Sequence, residues 1–464
     1  MQPLITNDAT VFGILMAVLG LIFYTSKLEG MKRFYSIVPA LLLCYFVPAL
    51  LHWPLGLISP EFFYNDALKG ILEAKNIAFS NDLYQMSFGE VETWLKEQGL
   101  AAADYKSCIG KSQLYFMSSR YLLPASLVLL CLSIDFKGVL NLGPKALIMF
   151  FTATIGIILG GPVALLITAN FFPGIISVEA DELWRGLATV AGSWIGGGAN
   201  QTAMKEIYGV SDNLFAAMIV VDVIVANIWM GFLLYGANIA PKIDKMLGAD
   251  ASAIETLKQR VSDYKSSVEK IPTTYTMFVL GAVAFGAVGL SHLGSDLMMP
   301  VMESIKPTLE AMRLNSLLSG FFWLIVFATT IGLILSFTPA RKLEGVGASN
   351  WGSLFIYILV ATIGMKMDIG EVMKNMGLFA IGIMWMLVHV TLLLTVAKII
   401  RAPFFFVAVG SQANVGGAAS APIVASAFSP ALAPVGVLMA VLGYAMGTYG
   451  AIICAMMMKA AAGG

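Results

Sequence analysis

Apolar residues run along this chain in long blocks rather than in alternation. The blocks fall near residues 10–25, 34–52, 113–134, 145–171, 184–207, 213–237, 273–293, 316–337, 350–367, 376–399, 402–428 and 430–458. Such runs predict membrane-spanning helices, because about 20 residues at helical rise cover the hydrocarbon core. A transmembrane β-barrel would alternate instead. The pattern therefore predicts an all-α polytopic membrane protein of about twelve spans. Three stretches are polar. Residues 61–112 carry more acids than bases and read as an external insertion between spans. Residues 238–272 carry both signs, with Ile254, Leu257, Val261, Tyr264, Val268 and Ile271 at spacings of 3 and 4. That periodicity predicts an amphipathic linker helix. Residues 296–313 form a shorter polar break.

Composition narrows the class. Of 464 residues, 58% are hydrophobic and 12% charged, and the mean hydropathy is +0.82. A soluble domain carries about 25% charged residues. A soluble enzyme, a nucleic-acid binder and a disulfide-stapled secreted domain are excluded on this ground. The net charge of zero names no partner. Cys44, Cys131 and Cys454 lie in apolar blocks and Cys108 in the polar insertion, so no disulfide framework can be assembled. His52, His292 and His389 are far apart, with no metal motif and no ATP-binding loop. Residues 1–10 lack a basic segment, so the first block reads as a span rather than a cleaved signal. Lys27, Lys32 and Arg33 follow it, which places the first loop in the cytoplasm and the N-terminus outside.

The chain repeats itself. LSIDFKGVLNLGPKAL, a span, GSWIGGGANQTAM and a further span are matched in order by TIGMKMDIGEVMKNMGLF, a span, GSQANVGGAASAP and a span carrying AMGTYG. Each copy reads span, short charged turn with an Asp (Asp135, Asp368), span, Gly-rich break, span. Two copies of one unit are the simplest account and are a habit of secondary transporters. The division is 1–237 for the first transmembrane repeat, 238–272 for the linker and 273–464 for the second repeat. Arg341, Lys342, Lys398, Arg401 and Lys459 are best placed inside, which makes the second copy inverted. Twelve full crossings would make the copies parallel; the charges take precedence, because one overcounted span changes the parity.

The two Gly-rich breaks carry the candidate chemistry. The first runs Gly192-Ser193-Trp194-Ile195-Gly196-Gly197-Gly198-Ala199-Asn200-Gln201-Thr202, and the second Gly410-Ser411-Gln412-Ala413-Asn414-Val415-Gly416-Gly417-Ala418-Ala419-Ser420. Glycine costs a helix about 1 kcal/mol relative to alanine, so both spans are expected to unwind there. Inside a bilayer, freed backbone groups are tolerated only against protein or a watered cavity. Small residues also serve close helix packing. Two breaks in matched positions, both bearing amides, favour the functional reading. Ser193, Gly197, Asn200, Gln201 and Thr202 are the solute-binding candidates from one break, and Ser411, Gln412, Asn414, Gly416 and Ser420 from the other. Tyr444, Thr448 and Tyr449 in the last span are expected to line the same cavity.

Asp222 stands about nine residues into the apolar block after the first break. A charge at mid-bilayer costs about 2.5–3.5 kcal/mol on insertion scales, so it must face a cavity or a partner. Asp222, with Asn227 five residues on, is the candidate site for a coupling cation, Na⁺ or H⁺; no other cofactor is expected. The competing reading is a hydrogen-bonded structural Asp. Asp135 and Asp368 read as interfacial charges, Lys205 and Glu206 as a helix-end pair at the membrane surface, and His389 as a satisfied structural histidine. The aspartyl GxGD and rhomboid GxSG elements are lacking, nothing favours a Ser193/His389 pair, and no enzyme activity is expected.

At these motifs a resemblance enters. GSWIGGGANQTAMKEIYG, the following helix with Asp222, SQANVGGAASAPIVASAF and LGYAMGTYG resemble the YjcL-like family of bacterial membrane proteins. The likeness covers most of the chain outside 61–112. More distantly, the layout is similar to bile acid–sodium symporters and cation/proton antiporters. Those groups pair a panel with a core whose two broken helices cross near the midplane, and an acid follows the first broken helix where Asp222 stands. This chain has a single Asp there rather than a pair, so no antiport stoichiometry carries over. The resemblance implies elevator-like motion, dimerisation through panels and residence in the bacterial inner membrane. The expected function is secondary transport of a small polar or anionic organic solute, with a cell-wall-derived peptide or amino acid implied by the resemblance. Alternatives are a cation/proton antiporter, and a passive channel or non-transporting receptor.

Overall fold

The computed structural model describes the chain except residues 1–2, 36–37, 39, 78–82, 84–85, 87, 135–139, 141, 173, 175, 177, 250–270, 312–314, 367–376, 430–431 and 464. Asp135, Asp368 and the linker periodicity from Ile254 to Val268 lie outside the described residues.

The chain opens with α1 (Asp8–Ser26) and α2 (Ala40–His52). The insertion follows as β1 (Glu61–Phe63), α3 (Asn65–Ala74), α4 (Phe88–Glu97) and β2 (Ile109–Lys111). Next come α5 (Leu114–Leu132), with a π-helical turn at Ser118–Leu122, and α6 (Pro144–Phe171). The first broken span is α7 (Ala180–Gly196) with α8 (Gly198–Tyr208). It leads to α9 (Asp212–Asn238) and the short α10 (Ala240–Leu247). Then come α11 (Thr274–Ser304), α12 (Gly320–Ser336), α13 (Ala348–Gly364) and α14 (Gly377–Ile400). The second broken span is α15 (Phe404–Val415) with α16 (Gly417–Phe428), and α17 (Ala433–Ala461) closes the chain.

The helices begin where the sequence supplies caps. Asn7 accepts from the Thr10 N–H, Ser211 from Leu214 and Ser319 from Phe322, each serving one of the orphan donors of a first turn.

Among the described residues seven helices are long and apolar enough to cross a membrane, or eight if Gly320–Ser336 and the bent turn Pro339–Val346 count as one. The expected twelve differ for a physical reason. The two Gly breaks cut two blocks into pieces of 17 and 11 residues and of 12 and 12. α2 and α13 fall short at 13 and 17 residues.

The chain divides into two compact units, Met1–Arg120 with Tyr357–Gly370, and Tyr121–Ile356 with Glu371–Gly464. In the first, α1 packs on α2, and Asp8 accepts from the Gln113 N–H at 2.9 Å. The insertion is more than a loop. β1 and β2 pair antiparallel with Phe62 opposite Gly110. Phe63, Leu68, Leu72, Leu83, Val91, Leu95, Leu100 and Tyr105 form a small core beneath them. Cys108, expected alone in a polar loop, is buried in that core.

The second unit contains elements of both sequence halves, because helices of one half pack on helices of the other. α6 packs on α14, its sequence counterpart, and α7 on its counterpart α15. α6 meets α17 as α14 meets α9, and α8 meets α17 as α16 meets α9. α7 meets α9 as α15 meets α17. Phe150, Phe405, Phe406, Val409 and Met439 lie in the apolar core that α6, α15 and α17 share.

Candidate functional site

Each break is sharp rather than unwound. In the first, one residue turns the chain: Gly197 stands at φ +79°, ψ −176°, a conformation reserved to glycine. The helix resumes at once, because the Gly197 carbonyl accepts from Asn200 N–H at 3.0 Å and Gln201 N–H at 3.1 Å. The Asn200 amide donates to the Gly196 carbonyl at 2.9 Å, serving an acceptor the break exposes. In the second break Gly417 takes φ +58°, and the Asn414 amide donates back to Gly410 at 3.0 Å.

The two breaks converge on α17. A methyl group at Gly443 would stand 2.8 Å from the Ile195 carbonyl oxygen and 3.4 Å from that of Ala413. One bare position on α17 therefore touches the backbone of both broken spans. Lower on the same helix, a methyl at Gly447 would lie 2.6 Å from the Gly196 Cα and 2.4 Å from the Asn200 amide nitrogen.

Buried polar groups surround this meeting point. Asp222 of α9 accepts from Trp194 Nε1 at 2.6 Å and from Gln201 Nε2 at 3.0 Å, and the Ser193 hydroxyl bonds it too. Asp222 is 6% exposed, so three neutral donors from the first break hold its carboxylate in place of bulk water. The Trp194 ring meets Trp385 edge-on at 5.1 Å, and Trp385 donates to the Ile157 carbonyl. Asn200 is satisfied at both ends, since its oxygen accepts from Thr448 at 2.7 Å, and Thr448 bonds Thr329 of α12. Asn414 is satisfied in the same way, with Thr154 of α6 donating at 2.8 Å.

A second chain of bonds runs through Ser411. Trp229 Nε1 of α9 donates to its hydroxyl at 2.8 Å, and His389 Nε2 lies 2.8 Å away. His389 Nδ1 faces the Ala153 carbonyl at 3.1 Å, an acceptor. Nδ1 must then carry the hydrogen, and Nε2 pairs with the Ser411 hydroxyl. His389 is thus fully bonded, as expected of a structural histidine. Gln412 donates to Ser420 Oγ at 2.7 Å across the second break.

The structure brings Ser193, Gln201 and Asp222 together, and ties Asn200 to Thr448. Thr202 bonds its own helix at Gly198, and Tyr449 bonds Thr330 rather than either break. The Tyr444 ring lies 3.8 Å from where a Gly197 methyl would stand. Asn227 donates to the Val223 carbonyl of its own helix at 2.8 Å. Five residues of helix turn it well away from Asp222. The Lys205–Glu206 pair has a third member. Lys205 is 4% exposed and lies 2.9 Å from Asp212 and 3.5 Å from Glu206, so the start of α9 adds a second, partly exposed carboxylate to a buried ammonium. Sequence reasoning missed Trp194, Trp229, Thr154 and Thr329. Trp194 lies inside the first Gly motif, where its N–H was the available signal; the others carry none, since their roles are set by helices distant in sequence.

Comparison with known proteins places the chain among membrane proteins. It is 23% identical over 349 residues to "Uncharacterized membrane protein YjcL" of Bacillus subtilis (strain 168), covering 73% of this chain and 82% of that one. The family model described as "Protein of unknown function (DUF819)" matches residues 106–461, from the end of the insertion through α17. With most of its length matched, both broken spans and Asp222 included, the chain belongs to the DUF819 family of membrane proteins.

Proposed function

We propose that this membrane protein is a secondary active transporter of a small polar organic solute, driven by Na⁺ or H⁺. One observation carries the reading. Two broken spans touch one position of α17, and a carboxylate buried in apolar helices stands beside the first of them. Intramembrane acids and broken helices are costly, and transporters use both at their ion and solute sites. The duplicated packing of α6–α9 and α14–α17 supports an origin in two repeats of one unit. In this reading Asp222 takes the coupling cation, and the half-helices α8 and α16 frame the solute. Displacement of the broken-span core moves both across the bilayer.

The test is uptake into proteoliposomes under an imposed inward Na⁺ or pH gradient, with amino acids, dipeptides and muropeptide fragments as solutes. Accumulation above equilibrium that saturates and is lost in Asp222→Asn is expected. Uptake that only equilibrates and does not saturate would make the protein a channel. A cation gradient exchanged for protons without any solute would make it an antiporter.

A further inference from the structure

The two glycine-broken blocks fold back on themselves. At helical rise a continuous span would hold Trp184 and Tyr208 about 36 Å apart, yet their rings meet edge-on at 5.2 Å. A methyl at Gly192 would stand 2.6 Å from the Asn200 carbonyl oxygen. α8 therefore runs back along α7. The second block does the same. Phe405 and Phe428 would be about 34 Å apart in a continuous helix, but their ring centroids are 5.3 Å apart, and the Gln412 and Ser420 side chains bond at 2.7 Å. Each block thus has a tip at its glycines and brings both of its outer ends to one mouth.

The mouths lie at opposite ends of α17. Both tips adjoin that helix at Gly443, through the Ile195 and Ala413 carbonyls. At the second mouth α16 ends at Phe428 and α17 begins at Ala433. The first mouth stands at the far end of the same 29-residue helix, where the Lys459 ammonium is 5.7 Å from the Trp184 ring centroid. α9 connects the two mouths in the same way. A methyl at Gly186 in the first mouth would stand 3.1 Å from the Leu214 side chain at the start of α9. One at Gly236, near the end of α9, would stand 2.4 Å from the Phe404 ring of the second mouth.

Length and burial agree with a turn inside the membrane. α8, α15 and α16, of 11, 12 and 12 residues, rise about 16–18 Å, roughly half of the hydrocarbon core. α15 is buried along its whole length, and α7 is buried from Leu183 to Gly196 apart from Arg185. Backbone that turns within a bilayer is tolerated where protein covers it.

Charge orients the pair. At the second mouth Lys145 bonds the Arg401 carbonyl, Lys398 bonds that of Met246, and Asp244 accepts from the Phe404 N–H. With Lys242 and Lys245 of α10, five basic residues gather there: Lys145, Lys242, Lys245, Lys398 and Arg401. The first mouth has three, Arg185, Lys205 and Lys459. The excess of Lys and Arg places the second mouth in the cytoplasm.

We infer that both blocks are re-entrant hairpins rather than crossings, α7–α8 entering from outside and α15–α16 from the cytoplasm, with their tips meeting in the middle of the membrane. This departs from the crossing broken helices that the resemblance to symporters and antiporters implies. Lys459, which its charge alone would place inside, then lies outside. The parity of the repeats follows as well. From the start of α6 to that of α14 the crossings are α6, α9, α11, α12 and α13, an odd number, so the copies run inverted. The topology stands apart from the transporter reading. Only its use rests on that reading, in which each face has its own hairpin to one midplane point, the inverted pairing that alternating access employs.

The test labels the mouths with a membrane-impermeant maleimide in right-side-out vesicles, before and after they are opened with detergent. Single variants of the full chain carry Glu179→Cys, Asn213→Cys, Ala460→Cys, Arg401→Cys or Ser429→Cys. The first four positions are exposed and Ser429 is half-buried. Wild type, whose four cysteines are buried, is the blank. Glu179→Cys, Asn213→Cys and Ala460→Cys are expected to label fully in closed vesicles, and Arg401→Cys and Ser429→Cys only once they are opened. Independently, Gln412→Cys combined with Ser420→Cys should close a disulfide on mild oxidation and lose two mass shifts with a maleimide polymer in SDS. In a continuous helix those positions would be about 12 Å apart, beyond the reach of a disulfide.

Opposite sidedness of Glu179→Cys and Asn213→Cys would make α7–α8 a crossing, and of Arg401→Cys and Ser429→Cys would make α15–α16 one. Either result overturns the inference. So do all five labelling from one face, the reversed orientation, a mouth thiol still unreactive after opening, or failure of the disulfide. Loss of gradient-driven uptake with this labelling intact would overturn the transporter reading alone.

Discussion

Asp222 shows at single-residue scale how the site is held. Its carboxylate is buried and accepts from the indole of Trp194, the amide of Gln201 and the hydroxyl of Ser193. Trp194→Phe keeps most of the ring's packing but takes a donor from a buried oxygen. It should cost about 1–3 kcal/mol, read as a lower melting temperature in detergent. Gly447→Ala tests the seam between α17 and the first break. Its methyl would meet the Gly196 Cα at 2.6 Å and the Asn200 amide, and the crowding should cost about 1–3 kcal/mol. The same substitution at Gly13, which has open space around it, should be nearly neutral. Residues such as Asp222, Asn200 and Asn414 were legible in the sequence because they are polar inside apolar blocks. Trp229, Thr154 and Thr329 were not, since a Trp or Thr in a spanning helix reads as filler until its partner from another helix is known.

The broken spans and the insertion are the elements that depart from plain helix. Gly197 sits at φ +79°, ψ −176°, where a side chain costs of order 1–3 kcal/mol. Gly197→Ala should lower thermal stability by that amount and straighten the joint, seen as slower hydrogen exchange at Gly198–Asn200. The breaks themselves could be located from their glycines, but not their sharpness. That comes from Asn200 and Asn414 bonding back onto the preceding turn, a local satisfaction that composition does not reveal. The insertion was legible as polar, while its core was hidden because Phe63, Leu72, Val91 and Leu95 are scattered among charges. Within it, the Ala101 N–H and then the Lys75 ammonium hold the Asp104 carboxyl below its ordinary 3.8. A lowered acid contributes fully above 3.8, and the contribution is lost as pH falls through the lowered value. Asp104→Asn should therefore lower stability at pH 7, where the contribution is fully present, and flatten the acid limb of unfolding followed by Trp94 fluorescence.

For the whole molecule, the apolar pattern sufficed for an all-α membrane protein, and the repeated motifs pointed to the helices that pack on one another. The number of crossings was less legible. A hydrophobic block cut by a glycine turn and a block crossed by one straight helix look alike in sequence, and only the geometry separates α7–α8 and α15–α16 from α6 and α14. The compact units likewise cross the sequence halves, because the halves interlock. The central claim is that this interlocked core binds a cation at Asp222. It is tested most directly by thermal stability of the purified full chain in detergent, in NaCl against choline chloride at fixed ionic strength and across pH 5.5–8.5. Wild type is compared with Asp222→Asn. A cation that binds only the folded state stabilises by about 2.7 kcal/mol at a hundred times its Kd. The account predicts a stabilisation by Na⁺, or a pH dependence, that wild type shows and Asp222→Asn lacks. Identical responses to Na⁺ and to pH in the two proteins, with the variant normally folded, would contradict it.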